Sequence, residues 1–241
     1  QLTHQTLQSL GETEGIENCE LIVIDNGSPI GGDALGQTSD ICIRNRENVG
    51  YPRAVNQGIK LSKGGLICIS NNDIRVSSNW LRVAEEILED ETVGSVHYRM
   101  IDYDEPMVLG DNTWITGKER WCTSSFFVIH RRALPDGLYD ENYGLGGYDD
   151  WDFWNRVRHE NGWKMAYTTK ACYQHKHSST QLLLDQEKRQ LNDRKHRDYF
   201  KLKFGKYPED VWEEKYAEQM RENYQDFFKV NWNDGVIWNF N

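Results

Sequence analysis

Carboxylates that follow apolar runs are the first residues of this sequence able to do chemistry. Asp25 closes the run Leu21, Ile22, Val23, Ile24 and is succeeded by Asn26, Gly27 and Ser28, types that turn a chain tightly. Its carboxylate could accept hydrogen bonds from a pyrimidine imide N–H or from ribose hydroxyls. Turn chemistry alone would equally explain the segment. Asp73 follows the run from Leu66 to Ser70 through Asn71 and Asn72. A lone carboxylate beside two amides supplies hard oxygen ligands, suited to Mg²⁺ or Mn²⁺ that is also held by phosphate oxygens, so this spacing points to a metal diphosphate. An Asp that caps the next helix is the plainer alternative, although Ser77, Ser78 and Asn79 already offer caps there.

The stretch from Gly144 to Arg156 is the third cluster. Gly144, Gly146 and Gly147 let backbone approach a ligand closely, and Asp149, Asp150 and Asp152 then fall in the first turn of a helix, where free N–H groups and the dipole favour their ionised form. Three acids on one turn also raise one another's pKa, which gives one of them basic character; Asp150 can stand at a pocket mouth as a general base. Asp152 and Arg156 are spaced i, i+4 and should form a local ion pair rather than a second catalytic pair. His175 follows the apolar run Ala171, Cys172, Tyr173 and could complete the coordination of a metal already held by Asp73, with His177 as the alternative.

The elements that must position these residues read as α/β, with a mostly parallel central sheet flanked by helices. Short β-rich runs at 20–24, 41–43 and 66–70 alternate with helical patterns, one bearing Ala54, Val55, Gly58 and Ile59, the next Trp80, Val83, Ala84, Ile87 and Leu88. Further strands fit 93–99, 125–130 and 164–168. Ligands of open α/β sheets bind at the carboxyl edge of the strands, where Asp25 and Asp73 stand. From Gln181 onward long helical segments of mixed charge take over, so the expected organisation is 1–180 as the main domain, with a first half to about 75 and a second from 76, and 181–241 as a helical extension. Arg194, Lys195, Arg197, Lys201, Lys203 and Lys206 cluster in that extension and read as a solvated helix face, with an anion-binding patch as the alternative. The chain opens in a helical pattern (Leu2, Leu7, Leu10) without the strand that should precede it. Truncation is the plain expectation, while Val236 to Asn241 have the apolar character such a strand would need.

Composition bounds the function class. A formal net charge of −10 gives no general attraction to a phosphate backbone, which argues against nucleic acid as main partner. With 38% hydrophobic and 12% aromatic residues the chain should fold despite its polar mean hydropathy of −0.77. No apolar run approaches the ~20 residues of a membrane span. Cys19, Cys42, Cys68, Cys122 and Cys172 are odd in number and lack a C-x-x-C pair, and so are expected to be buried thiols in a reducing compartment, which points to the cytoplasm. No G-x-x-x-x-G-K-[ST], G-x-S-x-G or H-E-x-x-H occurs.

Taken in order and spacing, the segments resemble family-2 glycosyltransferases of the GT-A fold. The pieces are Leu21 to Ser28; Asn48, Val49, Gly50 with Ala54, Asn56, Gly58 and Ile59; Leu66 to Asp73; Asp149 to Asp152 with Arg156; and His175 before Ser179. The resemblance implies that Asp25 contacts the nucleotide base and that Asn26, Asn48, Arg53, Asn56 and Asn72 belong to the nucleotide-binding segments. It implies Asp73 as the last acid of a D-x-D-like metal motif, here Asn71, Asn72, Asp73, and His175 as a second metal ligand for Mn²⁺ or Mg²⁺. Asp150 would be the catalytic base of an inverting transfer from a nucleotide-diphosphate sugar, a UDP-sugar first among candidates, to an acceptor hydroxyl. Asp149, standing where Glu is common, and Trp151, whose indole could stack on a sugar ring, would meet the acceptor. With Trp151, Trp114, Trp121, Trp154 and Trp163 are numerous for the region that would meet the acceptor, though most of the five are expected as ordinary core aromatics. A catalytically silent carbohydrate- or nucleotide-binding domain is the alternative of a different class. A nucleotidyltransferase ranks last, because the Gly-rich, basic opening loop for a triphosphate is absent.

Overall fold

The computed structural model describes residues 2–28, 37–116, 124–176 and 186–208, with backbone alone for 186–190. Trp121, Cys122, His177 and the segment 236–241 lie outside them. The described elements run α1 (Leu2–Gly11), β1 (Ile22–Asp25), β2 (Ile41–Arg44), α2 (Tyr51–Leu61), β3 (Leu66–Ser70), β4 (Ile74–Val76), α3 (Trp80–Leu88), β5 (Val93–Asp102), β6 (Thr113–Thr116), β7 (Phe126–His130), α4 (Asp149–Asn155), β8 (Lys164–His175) and α5 (Gln186–Phe204). The chain divides into two compact units, Gln1–His196 and Arg197–Asn241. In the second, the Arg197 guanidinium and the Lys201 ammonium each lie 4.0 Å from the centre of the Tyr207 ring.

β1 and β2 pair in parallel, while the larger sheet runs β3-β7-β5-β8-β4, with β6 also on β8. The α/β class stands, but strand direction differs from the mostly parallel expectation. Among the described residues, only β5 with β8 is parallel in the larger sheet; β3 with β7, β5 with β7, β4 with β8 and β6 with β8 are antiparallel. Alternating strand and helix predicts parallel neighbours only where neighbours in sequence are neighbours in space. Here β7 enters between β3 and β5, and β8 lies against β4, β5 and β6.

β7 explains how the sheet is buried on both faces. Its run Phe126, Phe127, Val128, Ile129 is apolar without alternation, as a doubly covered strand requires. Phe126 and Val128 join Ile74, Trp80, Tyr98 and Tyr173 on one side, while Phe127 and Ile129 join Ile67, Ile69, Phe153 and Trp154 on the other. Each such fully buried side chain stabilises the fold by about 1.5–3 kcal/mol. α1 docks through Thr6, whose hydroxyl donates to the Ile74 carbonyl at 2.8 Å and accepts from the Ile74 N–H at 3.2 Å. β4 is thereby fixed at the point where Asp73 ends the preceding loop.

The cysteine expectation needs correction. Cys19, Cys42 and Cys68 are exposed and only Cys172 is buried among the described residues. Cys42 and Cys68 occupy the outward positions of β2 and β3, where the alternation of a strand turns every second side chain away from the core. Among the described residues no helix is long and apolar enough to cross a membrane.

Candidate functional site

Asp25 ends β1 and is buried, at 2% exposure. One carboxylate oxygen accepts the Ser28 N–H at 2.9 Å; the other lies 3.3 Å from the Arg44 guanidinium, across the parallel pair β1–β2, and takes no hydrogen bond. A buried carboxylate oxygen with acceptor capacity to spare suits a ligand N–H or hydroxyl. Asn26 is employed differently: its amide donates to Asn48 Oδ1 at 2.9 Å and to the Gly50 carbonyl, and its oxygen accepts from Val49 N and Asn45 Nδ2, each at 3.0 Å. Asn26 and Asn48 thus tie the β1 loop to the start of α2.

Asn56 and Arg53, placed by sequence beside the nucleotide, both turn to the segment near Glu141. The Asn56 amide donates to the Tyr139 carbonyl and to Glu141, while its oxygen accepts the Tyr139 N–H at 3.0 Å. Arg53 Nε stands 3.0 Å from Glu141. These two contacts, Asn56 first, hold the Glu141 carboxyl below its ordinary value. Asn56, at 2% exposure, has both donors and its acceptor engaged within the fold.

Asp73 and His175 are 102 residues apart in sequence and meet because β4 pairs with β8 in the register Ile74 to His175. After an irregularity between Tyr98 and Arg99, opposite Thr168 and Cys172, β8 goes on between β5 and β4 as far as His175. Asp73 Oδ1 and His175 Nε2 lie 3.1 Å apart, each side chain about one-tenth exposed. At this distance the two side chains share a hydrogen bond, and a carboxylate beside an imidazole is a pair whose types would suit a divalent ion. Among the described residues no group of three or more His, Cys, Asp or Glu side chains could hold a metal. Asn72, beside Asp73, is exposed and donates to Thr3 Oγ1 at 3.0 Å.

The acidic cluster opens α4, as its spacing predicts. Asp149 is buried, and its Oδ1 accepts the Gly147 N–H at 2.6 Å. Burial, then repulsion from Asp150, pushes its carboxyl up to about 7. The mutual elevation expected within this turn therefore falls on Asp149. Asp150 is half-buried, with Oδ1 2.9 Å from the Trp151 N–H. Trp151 lies 6.1 Å from the Tyr148 ring. Asp152 and Arg156 form the ion pair at 2.6 Å, and Arg156 also donates to the Asp136 and Leu138 carbonyls. Trp154 packs in the core, at 2% exposure.

The loops that carry these residues converge by contacts that sequence reading missed. Gly50, at φ 93°, packs against the Gly144 backbone so closely that a Cβ there would lie 1.8 Å from the Gly144 carbonyl oxygen. The residue after it, Tyr51, donates to the Ser124 carbonyl at 2.9 Å, and Trp154 Nε1 is 3.3 Å from Ser124 Oγ. Ser125, next in the chain, accepts the Asn71 N–H on its carbonyl at 2.7 Å and shares a 2.8 Å hydrogen bond with the Tyr173 hydroxyl. The Asp73 loop, the start of α2 and helix α4 are thus joined at the residues just before β7. Burial and then Asp149 also push the Tyr51 phenol up.

A family model described as glycosyl transferase family 2 matches residues 1–141. Protein MT1568 of Mycobacterium tuberculosis (strain CDC 1551 / Oshkosh), named as uncharacterized, is 26% identical over 182 residues, which cover 63% of this chain and 56% of that one. The chain thus spans little more than half the length of this curated relative. S. aureus TarS 1-349 in complex with UDP is similar at TM-score 0.60 and 15% identity, over 71% of this chain and 55% of that chain. The mannosyltransferase PcManGT from Pyrobaculum calidifontis, in complex with GDP-Man and Mn2+, is similar at TM-score 0.52 and 16% identity, over 70% and 53%. These structural likenesses show the GT-A fold.

Proposed function

Because the chain belongs to glycosyl transferase family 2, we propose that it moves a sugar from a nucleotide-diphosphate sugar to an acceptor hydroxyl with inversion at the anomeric carbon. The observation that carries this reading is the pairing of Asp73 with His175 at 3.1 Å, two residues whose types suit a metal held jointly with a diphosphate. The UDP bound in TarS and the GDP-Man and Mn2+ bound in PcManGT support a nucleotide donor and a divalent cation here as well. Mn²⁺ or Mg²⁺ on Asp73 and His175 would supply charge stabilisation for the departing diphosphate.

The chain's own residues supply the remainder. Asp25 offers the buried acceptor for the base or ribose, in a loop held by Asn26 and Asn48. Asp150 takes the proton of the acceptor hydroxyl. As the acceptor oxygen bonds to the anomeric carbon, the bond to the diphosphate oxygen breaks and its electron pair leaves with the nucleotide, so one displacement inverts the centre. Asp149, buried and bound to Gly147, holds the loop, and Trp151 beside Asp150 offers a face for the acceptor ring.

A thermal-shift screen of UDP-, GDP- and dTDP-sugars with and without Mn²⁺ tests the reading. One nucleotide series should raise the melting temperature in the presence of metal, and the product formed from it should have inverted configuration by NMR. Stabilisation by none of them, or a retained configuration, would overturn it.

A further inference from the structure

Helix α5 reads in sequence as part of an extension, yet its residues within the first unit reach the loop that carries the acids. The Gly146 carbonyl accepts from Asn192 Nδ2 at 3.1 Å and lies 3.1 Å from His196 Nδ1. A carbonyl only accepts, so the His196 tautomer that makes this bond carries its proton on Nδ1. His196 is 2% exposed and its ring meets the Tyr143 ring edge-to-face, with centroids 5.5 Å apart. The other end of the same peptide unit, the Gly147 N–H, donates to Asp149 Oδ1 at 2.6 Å. A single peptide plane is therefore gripped at its oxygen by α5 and at its nitrogen by the first acid of α4.

We propose that His196 and Asn192 are positioning residues: by fixing the orientation of the Gly146–Gly147 peptide they aim its N–H at Asp149, and so set the start of α4 that presents Asp150. The proposal rests on the role given above to Asp150. A peptide plane bonded only at its nitrogen can rotate about its flanking bonds, and the glycines on both sides of this one oppose such rotation little. With the carbonyl held on both lone pairs, rotation requires two hydrogen bonds to break together. The consequence reaches Asp149, because the Gly147 N–H, with Asp149's own backbone N–H, favours its charged form. Asp150 and Asp152 on its own helix and Tyr51 and Tyr139 from the elements packed against it all disfavour that form or are disfavoured by it.

The test compares His196→Phe, which keeps a ring against Tyr143 but loses the donor, with His196→Asn, which restores an amide donor near the position of Nδ1. Hydrogen exchange followed by mass spectrometry on peptides spanning 144–155 reads the loop with no need for turnover. In the Phe variant the amides of Gly147 to Trp151 should exchange about five- to tenfold faster, as the loss of one hydrogen bond to a carbonyl implies, and the Asn variant should restore protection. In an assay of donor hydrolysis, with water in place of the acceptor, the Phe variant should lower kcat by a similar factor at unchanged donor KM, and the Asn variant should restore it. Asn192→Ala should reproduce both effects and serves where His196→Phe fails to fold. Unchanged exchange across 144–155 in both His196→Phe and Asn192→Ala would overturn the proposal. Changed exchange in a protein that turns over no nucleotide sugar would support the clamp and overturn the enzymatic reading instead.

Discussion

Asp149→Asn should make the protein more stable at neutral and alkaline pH, although it removes a charge from the candidate active site. The carboxyl is held at about 7 against an ordinary 3.8, first by burial and then by Asp150. Below 3.8 the folded and unfolded states both carry the proton, and the group costs nothing. Between the two values the folded state keeps a proton that the unfolded state has lost, so stability falls by about 1.4 kcal/mol per pH unit, reaching about 4 kcal/mol above pH 7. Asparagine keeps the shape and an acceptor for the Gly147 N–H, as the protonated acid does, and the shift to about 7 already contains the favourable bond from Gly147 to the anion. The net gain at pH 8 should therefore approach about 4 kcal/mol, with little at pH 4. Urea unfolding of both proteins across pH 4 to 8.5 measures it, and the difference between the curves should grow as pH rises. A difference that stays flat over this range would refute the reasoning, because Asp149 would then titrate alike in the folded and unfolded states.

Arg156→Met should destabilise by about 3–5 kcal/mol in the same assay, because it strands the Asp152 carboxylate, fully buried in the first turn of α4, without its partner; a loss below about 1 kcal/mol would show that the pair is solvated. Gly50→Ala should cost at least about 2 kcal/mol, since the new Cβ would meet the Gly144 carbonyl oxygen and the backbone there has positive φ. A variant of unchanged melting temperature would show that the α2 loop does not rest on the Gly144 loop.

The site was legible where chemistry depends on local order, and hidden where it depends on pairing. Asp25 and Asp73 could be placed after strands because one apolar run stops at Asp25 and another stops at Ser70, just before Asn71, Asn72 and Asp73, and the Asp152–Arg156 pair follows from helical spacing alone. His175 could be set near a late strand, but its partnership with Asp73 needs the three-residue strand β4, too short to leave a periodic signal. β6 gave no signal because Thr113 and Thr116 flank Trp114 and Ile115, leaving no apolar run such as marks the equally short β1 and β2. The mostly parallel expectation failed because sequence alternation says nothing of which strand enters between two others, as β7 does. Asn56 and Arg53 stand in a segment expected to face the nucleotide, yet they bond across 85 and 88 residues to Glu141, a contact no local pattern encodes. Asn192 and His196 gave no signal either, since a helix of mixed charge does not reveal which carbonyl it will reach.

If Asp150 removes the acceptor proton while Asp73 and His175 serve the donor's metal, Asp150→Asn should separate the two duties. Donor binding in the presence of Mn²⁺, followed by calorimetry, should stay within about threefold of the parent, while transfer to the acceptor hydroxyl should fall by about 10²- to 10⁴-fold, the range of a lost general base. A variant that transfers sugar at the parent rate, or that loses donor binding along with turnover, would contradict the account.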